Sequence, residues 1–212
     1  MRKNGISFLL SLLVVALAVA VSAGAQTLYS DGPINGQTDA WTINEGFVVN
    51  DSFTIANNNS TITGLSFGAW LFAGDTLESA EVLISSEPFG GTIYYEQQVN
   101  FTQSGCFLNN YSFDVCTETA SFSGPTLGSG TSWLSLMNAV SADGNPVYWD
   151  ENSGPSMACE GDCAGSIPAE AFTILGTSSS TSGSVPEPSS LLLFSGAVLS
   201  AAGMVRRKRP KA

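Results

Sequence analysis

The stretch Gly46-Phe47-Val48-Val49-Asn50-Asp51-Ser52-Phe53-Thr54-Ile55-Ala56 decides the fold class, because its large apolar groups recur with a period of two. Phe47, Val49, Phe53 and Ile55 share one face, Asn50, Ser52 and Thr54 share the other, and Val48 is the exception on the polar side. Successive side chains of a strand point to opposite faces, so the pattern predicts a half-buried β-strand.

Working outward, Thr61–Phe72 places Leu65, Phe67 and Leu71 on one side and ends in an aromatic cluster from Trp70 to Phe72. Glu81–Ser85, Thr92–Thr102, Tyr111–Phe122 and Ser132–Val140 continue the series. Between these runs sit Asn57-Asn58-Asn59, Ala73-Gly74-Asp75, Pro88-Phe89-Gly90-Gly91 and Gly124-Pro125, residue types that form turns. Short strands at this spacing predict an all-β protein, an antiparallel β-sandwich of jelly-roll or immunoglobulin-like type over residues 26–176.

Both flanks read as targeting segments and are set apart from the fold. Residues 1–25 carry Arg2 and Lys3, an apolar run from Ile6 to Val21, and Ala23-Gly24-Ala25, which together predict a signal peptide cut by signal peptidase after Ala25. Residues 177–184 are a Ser/Thr-rich linker with nothing apolar to bury. Residues 185–212 begin with Val185-Pro186-Glu187-Pro188, continue through the uncharged run 189–205, and reach a basic stop at Arg206-Arg207-Lys208-Arg209 within the tail 206–212. At 1.5 Å per residue the uncharged run spans about 25 Å, enough for a single transmembrane helix through a bacterial inner membrane. The positive-inside rule would keep the basic cluster cytoplasmic and the rest of the chain outside.

All 7 Lys and Arg residues lie in these flanks, and the chain has no His. Of the 18 acidic residues, all but Glu187 fall between Asp31 and Glu170, so the central domain is strongly anionic and has no cation of its own. Nucleic-acid binding is excluded, because neutralising phosphates takes Lys or Arg. Internal salt bridges are excluded too, leaving the carboxylates to water, hydrogen bonds, screening or metal ions. With no His or Lys to activate a nucleophile, and no Lys or Arg to clamp a phosphoryl group, the domain is not expected to be an enzyme. The distant alternative is a glycosidase working with two carboxylates alone.

The 4 cysteines of an exported chain predict disulfides. Cys106 and Cys116 flank two strand ends joined by an Asn109-Asn110 turn, and Cys159 and Cys163 frame a tight local loop, which gives the pairs Cys106–Cys116 and Cys159–Cys163. The spacings do not fit a zinc site built from short cysteine knuckles.

No cofactor is required by any motif, but two acidic stretches offer oxygen ligands for calcium. One is Asp31-Gly32-Pro33-Ile34-Asn35-Gly36 with Asp39, its ligands being Asp31, Asn35 and Asp39; the other joins Asp143-Gly144-Asn145 to Asp150-Glu151-Asn152. Neither matches an EF-hand loop, and both also read as Asx and Gly turns. Tyr148 and Trp149 beside Asp150, Glu151 and Asn152 join a ring platform to hydrogen-bonding groups, a candidate carbohydrate site that Trp41 and Trp70 could extend. Trp41, Trp70 and Trp133 otherwise read as core residues.

The tail, with V-P-E-P, a hydrophobic span and a basic patch in that order, resembles the PEP-CTERM sorting signal of Gram-negative bacteria. That resemblance implies recognition of Pro186, Glu187 and Pro188 by an exosortase, transient anchoring in the inner membrane, and delivery to the cell surface or extracellular matrix. It also implies a link to exopolysaccharide and biofilm. The central domain is similar to a recurring exported domain of PEP-CTERM proteins, matched by Asp31 to Gly36, Gly144 to Ser156 and Phe172 to Gly176. This second resemblance implies a sandwich fold and no particular activity. Together these readings give a structural or adhesive surface protein, with a calcium-assisted carbohydrate-binding module as the alternative.

Overall fold

The structure, a computed structural model, describes residues 25–178. The signal peptide over 1–25 (but for Ala25), the linker beyond Ser178, the sorting motif, the membrane span at 189–205 and the basic tail lie outside the described residues.

Among the described residues, thirteen strands and no helix make up the domain: β1 (Gln26–Ser30), β2 (Ala40–Thr42), β3 (Val48–Ile55), β4 (Ser60–Phe72), β5 (Leu77–Glu87), β6 (Gly90–Asn100), β7 (Thr102–Leu108), β8 (Phe113–Ser121), β9 (Thr126–Leu127), β10 (Gly130–Ser141), β11 (Tyr148–Asp150), β12 (Ala158–Glu160) and β13 (Phe172–Ser178). They form two sheets with antiparallel pairing throughout. One runs β12-β3-β10-β5-β6; the other follows β1-β13-β4-β11-β2, with β8 and β9 also paired to β4 and β7 to β8. The antiparallel sandwich expected from the period-two pattern is the observed fold.

β4 is the spine of the larger sheet, hydrogen-bonded to β13 and β11 along one edge and to β8 and β9 along the other. Leu65, Phe67, Ala69 and Leu71 turn inward from it and are fully buried. From the facing sheet, Val49, Phe53 and Ile55 of β3, Val82 and Ile84 of β5, and Leu134 and Leu136 of β10 meet them. Phe53 and Phe172 pack edge to face, as do Phe67 and Trp149, geometries that the ring quadrupole favours.

Two local expectations change. Phe47 is not part of the strand but follows a turn in which Glu45 and Gly46 both have positive φ, and its side chain stands exposed. At the other end, Thr177 and Ser178 belong to β13 rather than to the linker: they pair with Thr61 and Ser60 of β4. Backbone pairing requires no apolar side chain, so composition placed this boundary two residues early.

Both expected disulfides are present, with Cα separations of 4.1 Å for Cys106–Cys116 and 5.0 Å for Cys159–Cys163. The first ties β7 to β8 beside the turn where Asn109 Oδ1 accepts from the Tyr111 and Phe113 amides. In the chain-entropy account, replacing Cys106 and Cys116 by serine should cost about 3 kcal/mol, and opening the shorter Cys159–Cys163 loop about 2 kcal/mol. Urea midpoints of the two double-serine variants check this; a larger loss from the shorter loop would contradict it.

Candidate functional site

Asp31–Gly36 and Tyr148–Ser156, more than a hundred residues apart in sequence, fold against each other. β11 supplies the support: Trp149 points into the core, while Tyr148 and Asp150 point out of the larger sheet. Asp150 is fully buried because the β1–β2 loop lies over it, donating from the amides of Asn35 (2.8 Å) and Gly36 (3.0 Å). The indole N–H of Trp70 donates to the same carboxylate at 2.6 Å. The loop can lie this low only because Gly68 of β4 has no side chain: a Cβ there would stand 2.8 Å from the Asp150 Cβ and 2.9 Å from Ile34.

The neighbouring residues are committed in the same way. Glu151 accepts from the Trp41 indole at 3.0 Å, and Asn152 donates to the Asp31 carbonyl at 2.6 Å while accepting from the Gly154 amide. Asp31, buried at the end of β1, accepts from the Tyr29 hydroxyl and from both the amide and the hydroxyl of Ser156. The two stretches therefore form one hydrogen-bonded clasp.

The residues of the two candidate ligand sites have defined places in this clasp. Trp149 has no exposed surface, packs against Phe67 and Phe172, and donates to the Ala171 carbonyl, so its ring cannot stack on a sugar. Tyr148 is half-buried with its ring against Phe113, and Asp150, Glu151 and Asn152 are buried. Of Asp31, Asn35 and Asp39, Asp31 accepts from Tyr29 and Ser156. Asn35 Oδ1 accepts from the Gln37 amide and Asp39 Oδ1 from the Ala40 amide, each within its own turn. Among the described residues no set of three or more Asp, Glu or Cys side chains converges as a metal ion would require.

Behind the clasp lies an acidic centre that the strand patterns did not single out. Asp51 occupies the inward face of β3, opposite Leu134 and Ala158, and is fully buried. One of its oxygens accepts from the Glu170 amide at 2.7 Å; the other has no partner. Glu170, bridged to Glu151 across the backbone, is also fully buried, and neither of its carboxylate oxygens finds a donor. Burial, reinforced by the charge of Asp31, pushes the Asp51 carboxyl up to about 8, against the opposing effect of the Glu170 amide. Burial first, and then the charges of Asp51, Glu151, Asp150 and Asp39, raise Glu170 well above the ordinary carboxylate range. Glu118, on the inward face of β8 with both oxygens unpartnered, is raised by burial to about 7. Asp150 is raised by burial too, with its three donors working the other way. With no Lys, Arg or His between residues 25 and 178, no ion pair can offset these burials, and protonation is the chain's own means of neutralising them.

Fold and clasp together define a disulfide-bearing antiparallel sandwich whose acidic motifs serve its architecture. Its destination is written in the tail: residues 184–209 match the family model described as the PEP-CTERM protein-sorting motif. That motif is the signal of exported proteins handled by an exosortase, as the V-P-E-P, span and basic-patch order implied. Comparison with curated proteins and with solved structures finds no match. Among the described residues no helix is long and apolar enough to cross a membrane.

Proposed function

We propose that the mature domain is a structural or adhesive protein of the cell surface or extracellular matrix, held in an exopolysaccharide-rich layer after exosortase processing. In this reading the chain passes through signal peptidase, rests in the inner membrane on residues 189–205, and is then transferred outward. The observation that carries it is the sorting motif at residues 184–209.

The chemistry of the domain supports a non-catalytic role. It has no His or Lys to activate a nucleophile, and its buried carboxylates are sealed inside a clasp or a core rather than set across a cleft. A carboxylate-only glycosidase would need two acids facing one open site with room for a sugar between them. The test is fractionation of the native host: the processed domain should accumulate with the extracellular polysaccharide, and deleting its gene should loosen the matrix. Quantitative recovery of the protein from the medium, with matrix cohesion unchanged in the deletion strain, would contradict the proposal.

A further inference from the structure

On the outward face of the smaller sheet, two open depressions of about 390 and 310 Å³ meet at Trp133 and Met157, which line both. Their floor follows from strand register. Trp133 of β10 stands directly opposite Ser52 of β3, and Thr131 opposite Thr54, with the two threonine hydroxyls 3.2 Å apart. Ser156, whose hydroxyl holds Asp31, closes one side, and the Cys159–Cys163 bridge lines the far end. Composition alone assigns Trp133 to the core; with Leu134 and Leu136 turned inward, its position in the alternation turns it outward.

Three properties distinguish this groove. Three of the 4 tryptophans have their indole N–H bound to an acceptor: Trp41 to Glu151, Trp70 to Asp150 and Trp149 to Ala171. Among the described residues Trp133 donates to none; it is half-buried and lines both depressions. Around it stand hydroxyls and the exposed Met157 thioether. No charged side chain lines either depression, although the domain as a whole is dense in carboxylates.

We propose that this groove binds a neutral polysaccharide segment, the indole of Trp133 stacking on the apolar face of a sugar ring. The hydroxyls of Ser52, Thr54 and Thr131 would take its hydroxyl groups. A shallow slot lined by the Trp133 indole, the Tyr29 ring and several neutral donor-acceptors fits a ligand that alternates C–H faces with hydroxyls. An anionic polymer is disfavoured, because the domain has no cation to meet it and its many carboxylates repel it. The inference rests on the matrix role proposed above and names the chemistry that would carry it.

The test uses the full chain in detergent, labelled with nitrogen-15 at tryptophan, and titrated with cello-, manno- and xylo-hexaose, with alginate and with an oligolysine peptide. A neutral hexaose should shift the Trp133 indole resonance and leave those of Trp41, Trp70 and Trp149 in place. Trp133→Ala should weaken that binding at least tenfold with an unchanged melting temperature, and Ser52→Ala should weaken it several-fold. An unmoved Trp133 resonance with all three neutral glycans, undiminished binding in Trp133→Ala, or tighter binding of alginate or oligolysine would overturn the assignment. Matrix retention of the wild-type protein in its host reads the broader role separately. Retention without glycan binding removes the groove alone, whereas glycan binding without retention removes the matrix role alone.

Discussion

The folded domain should lose stability as the pH rises from about 4 to about 8, the reverse of a protein held together by salt bridges. Asp51 sits at about 8 in the fold against 3.8 as an ordinary carboxyl, and Glu118 at about 7 against 4.5; Glu170 is also raised. For a carboxyl raised by folding, the native state binds more protons than the unfolded chain between the two values. Its stabilising contribution is complete below the unfolded value and is lost as pH climbs through the folded one. A tenfold difference in proton affinity between the two states corresponds to about 1.4 kcal/mol, so the loss across this window is on the order of several kcal/mol. Asp75 works in the opposite sense: burial would raise it, but donors from Asn145 and the Asp143 and Thr76 amides hold it low, so its contribution fades only in acid. Urea midpoints should therefore peak near pH 4 to 5 and fall towards pH 9. Asp51→Asn and Glu170→Gln, which stay neutral at every pH, should flatten that fall. A midpoint that rises between pH 5 and 8 in the wild type would show that the buried carboxylates are ionised and compensated in some other way.

Replacing Pro186, Glu187 and Pro188 together by alanine should abolish exosortase processing while leaving the sandwich intact. The motif matched at residues 184–209 follows the last strand in sequence, and every residue of the described core cluster precedes it. The full-length chain should accumulate in the membrane fraction, seen as a larger species on an immunoblot, and surface display should drop to background. Replacing Arg206, Arg207, Lys208 and Arg209 by glutamine tests a different element of the same tail. It should weaken retention of the span by removing the cytoplasmic positive charge. Normal processing of the triple alanine variant would mean that another segment directs sorting.

The alternation in Gly46–Ala56 is enough to read a sandwich, and the long strands β3, β4, β8 and β10 follow the runs that predict them. The short strands β1, β2, β11 and β12 do not show, because three to five residues carry too little periodicity; distant partners, not local propensity, hold them in place. That is also why Trp149 and Trp133 exchange roles. Trp149 lies in a three-residue strand without a visible face, whereas the outward direction of Trp133 follows from Leu134 and Leu136, which take the opposite parity in β10. Asp51 is legible by the same rule, since it shares parity with Val49, Phe53 and Ile55, and Glu118 shares it with Cys116 and Ala120. Their neighbours are not legible: the Glu170 amide reaches Asp51 from 119 residues away. The disulfide pairs are readable because each bridge closes a short loop.

On the proposed reading, the tail and not the acidic domain decides where this protein goes and in what form it arrives. Intact mass and terminal peptides of the protein recovered from the surface layer of its host test this most directly. The expected species begins at Gln26, ends close to Pro186-Glu187-Pro188 and lacks the 189–205 span and the basic cluster. Recovery of a surface protein that still carries Arg206 to Arg209 would contradict it.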